Sequence, residues 1–338
     1  IFKNQESLLL KAICDTDEER LKNKKDTILK EQNKIKKVNK VNIYKSYEDF
    51  LKDVEKGNLK IDLIILTTPS GLHPVQTIKA AKLGINICTE KPMATRWEDG
   101  KNMVQTCEDN GVHLFVVKQN RFNNTIKLLK SQIEKGRFGR IYMLNVNVFW
   151  QRPQKYYDQD KWRGTWELDG GALMNQASHY VDLLIWLNGP IKNISAISST
   201  IDRDIEVEDT IAMNMQWRNG ALGAMAVTML TYPRNIEGSV TILGAKGSAK
   251  VSGKALNKIE YWNFSNEDKD DKLAKEISYD TDNVYGFGHI EYYKNMIGAL
   301  KGKNNPICDG EEGLKSLEVI IGAYRSASEL KRINLPLD

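Results

Sequence analysis

Residues 61–92 read IDLIILTTPSGLHPVQTIKAAKLGINICTEKP, and the order of patterns in this stretch decides the fold. Asp62–Leu66 is a short apolar run and reads as a buried central strand. It breaks at Thr67-Thr68-Pro69-Ser70-Gly71, where Pro and Gly shape a turn. A helical segment follows, and Ile85–Cys88 is a second apolar strand, running out into Glu90-Lys91-Pro92. Strands alternating with helices are the signature of βαβ units and a parallel sheet.

The same alternation extends outward. Leu8–Cys14 and Val41–Tyr44 read as strands upstream, and Leu114–Val117 as one downstream. Ser46 with Asp49, and Thr95 with Glu98, fit capping boxes at helix starts. This predicts a nucleotide-binding Rossmann domain over residues 1–120. After about residue 138 the pattern becomes strand-rich. In Tyr142–Phe149, Leu144, Val146 and Val148 alternate with Asn145 and Asn147. Further strands are predicted at Ile194–Ser199, Ala212–Trp217, Leu222–Met229 and Ser239–Leu243, with a hairpin turn at Gly244-Ala245-Lys246-Gly247. A helix is predicted over Gly171–Leu187, and two more close the chain, about Gly288–Leu300 and Glu311–Ile333. The last has a cap (Asp309, Glu312) and an apolar stripe at Leu314, Leu317, Ile321 and Tyr324. Residues 121–338 are therefore expected to form an α+β domain. Its open, mainly antiparallel sheet leaves one face for a helix or a partner.

Composition narrows the function classes. The 338 residues carry 49 basic and 44 acidic side chains, a net +5, too mild for a nucleic-acid binder. The Lys-rich 21–41 stretch is interspersed with acids and amides and reads as a solvated helix face. No run reaches the roughly 18–20 apolar residues of a membrane span. No signal peptide is expected, because Leu8-Leu9-Leu10 leads straight into Cys14-Asp15. The four cysteines show no CxxC spacing, so no metal site or disulfide framework is expected, and a cytoplasmic location fits best.

Asp15 ends an apolar strand, where a doubly wound dinucleotide fold places an acid on the adenosine ribose. The glycine fingerprint of that fold lies roughly 20 residues before the acid. No glycine precedes Asp15. The expectation is therefore a Rossmann domain truncated at its start, with the first strand and glycine loop missing from the chain, and weak dinucleotide binding in consequence.

Oxidising an alcohol needs a cofactor at the C-terminal sheet edge, a base, and groups that fix the substrate. Thr67, Thr68, Pro69 and Ser70 follow the central strand and face such a cofactor, although a plain βα turn has the same composition. His73 either faces the ligand or orders that loop. Lys91 ends the next strand and is a candidate proton donor or acceptor, since a desolvated lysine titrates readily. Lys118-Gln119-Asn120-Arg121 emerges at the same edge and suits a sugar or its diphosphate. Asn175 and His179 are spaced i, i+4 and share one helix face. Imidazole suits proton transfer near neutral pH. Arg121, Arg152 and Arg163 are candidates for a carboxylate or diphosphate, which arginine binds through paired hydrogen bonds. Trp150, Tyr156, Tyr157, Trp162 and Trp166 offer either a wall for a flat ring or interdomain packing.

Glu90-Lys91-Pro92 after a Rossmann strand, with Asn175-Gln176-Ala177-Ser178-His179-Tyr180-Val181-Asp182, resembles the Gfo/Idh/MocA oxidoreductase family over essentially the whole chain. The runs LTTPSGLH (66–73), TEKPMATRWEDG (89–100), VKQNRF (117–122), RFGRIY (137–142), NVNVFW (145–150) and WRGTWELDGGALMNQASHYVD (162–182) are similar to one branch of it. That branch oxidises the C3 hydroxyl of UDP-N-acetylglucosaminuronic acid for surface-polysaccharide (lipopolysaccharide) synthesis. The resemblance implies NAD as cofactor, a UDP-sugar substrate, and Lys91 and His179 as the catalytic pair. His179 is the expected base and Lys91 the orienting group, with the reverse left open. It places Asp15, Thr67, Thr68, Pro69, Ser70, His73, Glu90, Lys91 and Gln119 at the cofactor. Lys91, Lys118, Asn120, Arg121, Arg152, Arg163, Asn175 and His179 fall at the substrate, Asn175 standing where the wider family often has aspartate. It also implies a homodimer or homotetramer through the C-terminal sheet and a downstream aminotransferase. The alternatives are another sugar or inositol dehydrogenase of the family, or a Rossmann-like module without catalysis.

Overall fold

The structure is a computed structural model that describes residues 7–34, 40–281 and 284–338. Its first part runs β1 (Ala12–Cys14), α1 (Glu18–Lys34), β2 (Asn42–Tyr44), α2 (Tyr47–Glu55), β3 (Leu63–Leu66), α3 (His73–Ala81), β4 (Asn86–Thr89), α4 (Trp97–Asp109), β5 (Leu114–Val116) and α5 (Asn124–Glu134). Strands β3, β4 and β5 form one parallel sheet, and β1 pairs with β2 in another. Ile87, Cys88 and Val116 are fully buried, as strands covered on both faces must be. The first predicted strand is shorter than expected, beginning at Ala12 rather than Leu8. In α1 the buried positions are Leu21 and Ile28, two turns apart on one stripe, with lysines around them. The end of the Lys-rich stretch, residues 35–39, lies outside the described residues.

The second part continues with β6 (Ile141–Phe149), α6 (Gln154–Asp158), α7 (Ser178–Asn188), β7 (Ile191–Ser199), β8 (Thr210–Trp217), β9 (Leu222–Thr228), β10 (Glu237–Gly244), β11 (Gly247–Ser252) and β12 (Lys258–Phe264). It ends with α8 (Asp270–Glu276), α9 (Gly288–Leu300), α10 (Gly310–Glu329) and β13 (Ile333–Asn334). The eight-stranded sheet has the order β12-β11-β10-β6-β9-β8-β7-β13. Every pairing is antiparallel except β6 with β9. Leu144, Val146, Val148, Met213, Met225 and Val227 point to the core face, on which α7 and α10 lie. Met143, Asn214 and Leu222 point out to the open face.

Three local predictions change. Thr95 does not cap α4; its hydroxyl donates to the Glu167 carbonyl at 3.1 Å, and Arg96 holds the cap position. The last helix stops at Glu329, where Leu330 turns left-handed, and Ile333 instead pairs with Ile194 at the sheet edge. The predicted helix over Gly171–Leu187 is broken in two. Ala172–Gln176 is a single π-helical turn, Ala177 is non-helical, and α7 begins at Ser178. By contrast, Ser46 and Asp309 accept from the amides of Asp49 and Glu312 as predicted.

The two parts share one core. Helix α10 packs on α4 and β5 as well as on α7 and β7. Close approach there needs glycine: a Cβ at Gly313 would stand 2.7 Å from Val116 and 2.8 Å from the Met93 sulfur. No helix among the described residues is long and apolar enough to cross a membrane.

Candidate active site

The C-terminal ends of the parallel strands line up as the βαβ reading requires. Asp15 follows β1, Thr67–Ser70 follow β3, Glu90 and Lys91 follow β4, and Lys118 and Gln119 follow β5. A cavity of about 430 Å³ opens beside this edge, walled by Lys91 and Asn120 from the first part of the chain. Trp150, Arg152, Lys155, Tyr156, Asn175, Gln176 and His179 supply the opposite wall, and Val284 and Tyr285 also line it.

Lys91 and Asn175 meet across the cavity. The Lys91 ammonium donates to the Asn175 carbonyl at 2.9 Å and to its Oδ1 at 3.1 Å. The Asn175 amide is held from behind by the Asp169 carboxylate, to which its Nδ2 donates. Asp169 also accepts from the Gly164 amide at 2.7 Å. Burial pushes the Asp169 pKa up to about 6 against those hydrogen bonds. Burial likewise lowers the Lys91 pKa, with Glu90 and Asp169 pulling the other way. His179 is driven well below the ordinary histidine range by burial, and the Lys91 and Lys118 charges add to this. It is therefore a neutral imidazole beside an ammonium. The Gln119 amide nitrogen lies 3.0 Å from its Nε2. Its Nδ1 has no partner among the described residues, and neither do the amide oxygens of Gln119 and Asn120.

Asn175 and His179 do share a wall, but not as neighbours on one regular helix. The π-turn, closed by Ala177 N–H to the Ala172 carbonyl at 2.9 Å, carries Asn175, and the first turn of α7 carries His179. Inserted π-turns recur at functional sites because the extra residue re-aims the side chains that follow.

Three residues expected at the substrate do not line the cavity. Lys118 and Arg121 are buried behind the cavity wall, each with 3% side-chain exposure, and both face Asp182. Arg121 donates twice to that carboxylate at 2.7 Å, once to the Ile307 carbonyl at 3.0 Å, and pairs with Glu312 at 2.8 Å. Lys118 donates to Ser316 Oγ at 2.8 Å. Their charges are spent on the scaffold. Arg163 also stands off the wall, stacked over Tyr156 and Trp162 and donating to the Tyr156 hydroxyl at 2.6 Å. Arg152 does line the cavity, braced by Gln176 Oε1 at 3.0 Å.

The expected cofactor residues separate into two kinds. Thr67 is exposed and Glu90 half-buried at the strand ends, open to a ligand. Asp15 is partly exposed and has Arg20 at 3.3 Å. His73 is 1% exposed, and its ring nitrogens lie 2.9 Å from the carbonyls of Pro92 and Thr68. Its side chain is a pin between the β3 and β4 loops rather than a ligand contact. Burial lowers its pKa to about 4. The sequence reading missed Gln176, Lys155 and Asp169. Tyr156-His179-type wall residues can be sought in the aromatic and amide-rich runs, but Asp169 carried no signal beyond its place next to Gly170-Gly171.

The comparisons with known proteins give the family of both parts of the chain. A model described as the oxidoreductase family, NAD-binding Rossmann fold, matches residues 1–118. The family's C-terminal alpha/beta domain matches residues 130–335. The WlbA dehydrogenase from Bordetella pertussis, solved in complex with NADH and UDP-GlcNAcA, is 50% identical and superposes with a TM-score of 0.92 over 99% of this chain and 92% of its own. The WlbA dehydrogenase from Chromobacterium violaceum, in complex with the same two ligands, is also 50% identical, with a TM-score of 0.89 over 99% of this chain and 91% of its own. More distantly, scyllo-inositol 2-dehydrogenase (NADP(+)) IolW of Bacillus subtilis is 24% identical over 81% of this chain and 79% of that protein.

Proposed function

The chain belongs to the Gfo/Idh/MocA oxidoreductase family, and from that premise we propose that it oxidises the C3 hydroxyl of UDP-N-acetylglucosaminuronic acid to a ketone, with NAD as the oxidant. The observation that carries this reading is the meeting of Lys91, Asn175 and His179 on one cavity. Two similar solved structures, each 50% identical to this chain, hold NADH and UDP-GlcNAcA.

The residues present fit a nicotinamide dinucleotide. Gln119 presents a buried amide oxygen without a partner at the end of β5, and Thr67 and Glu90 stand open at the neighbouring strand ends. Asp15 suits the ribose hydroxyls and would repel a 2′-phosphate, which favours NAD over NADP. When bound, the nicotinamide ring supplies a hydride acceptor.

The protein handles the proton and the placement. Lys91 spends two donors on Asn175, which leaves its third N–H for the substrate hydroxyl oxygen. There it orients the hydroxyl and stabilises developing negative charge. His179, neutral in its buried setting, accepts the hydroxyl proton at Nε2, with the substrate displacing the Gln119 amide from that nitrogen. Arg152 and Lys155 on the wall match the negative charges of a uronic acid and a diphosphate. Asn120 Oδ1 is an acceptor ready for a sugar O–H or N–H.

The same reading places the enzyme in the cytoplasm, as a homo-oligomer joined through the open sheet face. Its keto product would pass to an aminotransferase. The test is NADH formation with UDP-N-acetylglucosaminuronic acid beside myo-inositol. Turnover of the nucleotide sugar, lost in Lys91→Met and His179→Ala, is the expected result. Turnover of inositol alone would overturn the substrate assignment.

A further inference from the structure

We propose that Glu208 and Tyr324 are positioning residues for the reaction, acting through the π-turn that carries Asn175. The proposal rests on the assignment of Lys91 and Asn175 to the active site.

A helical segment leaves its first amides without partners, and local side chains usually cap them. Here no side chain of the preceding residues does so. Two residues remote in the chain supply the caps instead. The Ala172 amide donates to the Glu208 carbonyl at 3.0 Å. The Leu173 amide donates to Glu208 Oε1 at 2.9 Å. The amides of Gly171 and Met174 donate to the Tyr324 hydroxyl at 3.3 and 3.2 Å. Tyr324 closes the set by donating its own proton to Glu208 Oε1 at 2.8 Å. Four consecutive amides thus end on Glu208 and Tyr324, three of them on the carboxyl-phenol pair and that of Ala172 on the Glu208 backbone carbonyl.

The pair is built into the core. Glu208 is 3% exposed, and its Oε2 has no partner among the described residues. That oxygen lies against the Gly171 backbone, where a Cβ would come within 1.6 Å. Glu208 sits just before β8 and Tyr324 on α10, so the turn is clamped between the sheet and the closing helix. One residue beyond the last clamped amide, Asn175 presents both of its oxygens to the Lys91 ammonium. The turn's height above the sheet therefore sets where the ammonium stands. Neither member of the pair lines the cavity, so its effect on the reaction is through that placement.

The chemistry of the pair makes the variants specific. Tyr324→Phe removes the acceptor of two amides and the donor to Glu208 together. Glu208→Ala removes the acceptor of Leu173 and of Tyr324. Glu208→Gln keeps a carbonyl oxygen in the Oε1 place, so it is the conservative rescue. Catalytic groups displaced by about 1 Å can lose on the order of 10²-fold in rate. Kinetics with NAD+ and UDP-N-acetylglucosaminuronic acid, per folded enzyme, should show Tyr324→Phe and Glu208→Ala reduced in kcat toward that extent. KM should change little, and Glu208→Gln should stay near the parent. In parallel, 15N-lysine NMR reads the Lys91 ammonium without turnover, and its resonance and titration should shift in Tyr324→Phe and be restored in Glu208→Gln. A folded Tyr324→Phe with the parent's kcat and an unmoved Lys91 resonance overturns the proposal, and so does a Glu208→Gln as impaired as Glu208→Ala. If the parent binds NAD+ but does not turn over this sugar, the substrate assignment fails, while the Lys91 resonance still decides the positioning role.

Discussion

Replacing Arg121 by Met separates a scaffold role from a substrate role. The guanidinium is almost fully buried and makes two 2.7 Å bonds to Asp182. Methionine fills similar space but leaves the carboxylate with Ser316 Oγ at 3.0 Å and Lys118 at 3.6 Å. Breaking a buried pair by removing one partner costs roughly 3–5 kcal/mol. Because Lys118 remains to compensate part of the charge, the lower end, about 3 kcal/mol, is expected. At an unfolding entropy of roughly 2.1 cal/mol/K per residue, that lowers the midpoint of the 338-residue chain by about 4 °C. Thermal and urea unfolding measure it. The double variant Arg121→Met, Asp182→Asn should be less destabilised than the two singles added together, because the paired charges are removed as a unit. A pH series adds a signature. Burial pushes the Asp182 pKa up, but Arg121 and Lys118 outweigh it and hold it at about 2. A depressed carboxylate stabilises above its unfolded value, near 3.9, and that contribution is lost as pH falls through the folded value. The acid-side loss between about 3.9 and 2 should therefore flatten in Arg121→Met. A variant as stable as the parent, with KM for the sugar nucleotide sharply raised, would refute the scaffold reasoning and restore Arg121 to the substrate.

Lys91→Met and His179→Ala should each lower kcat by roughly 10²–10⁴-fold, the usual weight of a positioned acid or base, while in His179→Ala NAD+ binding by fluorescence titration stays close to the parent. Gly71→Ala should separate the βα loop from the 167–168 segment, because the new Cβ would stand 2.0 Å from the Glu167 carbonyl oxygen. A loss of about 1–3 kcal/mol in urea unfolding with raised KM values is expected, and parental values for both would refute it. Burial raises the Glu208 pKa to about 7. The native state then holds a proton that the unfolded chain releases above about 4.3, so this group favours folding more as pH falls through that window. Glu208→Gln has no such titration, and the stability difference, parent minus variant, should grow from pH 7.5 to pH 5 in urea unfolding; a flat difference would contradict the raised value.

Much of the architecture was legible because periodicity carries it. The buried run at Asn86–Thr89 and the alternation of Ile141–Phe149 state which face meets the core, whereas Leu63–Leu66, read as a buried central strand, is an edge strand buried at every second residue. The placement of Lys91 at a strand end and of His179 on an inward helix face was legible too. The break at Ala177 was not, because a π-turn is imposed by Glu208 and Tyr324, which lie far off in the chain. Arg121 misled for a related reason. A guanidinium at a sheet edge has the same sequence signature whether its carboxylate comes from a ligand or, as here, from Asp182.

Lys91 and its anchor Asn175 come from different halves of the chain, and this has a consequence for how such proteins diversify. Most of the cavity wall falls within residues 150–180, while the ammonium stands at the end of a parallel strand. A lineage can therefore trade one sugar for another by altering one half, provided the tether between Lys91 and residue 175 is conserved in kind. Asparagine at 175 offers two neutral oxygens to the ammonium where aspartate would offer a charge. That single position is accordingly where a change of substrate and a change in the ease of losing the lysine proton would be inherited together.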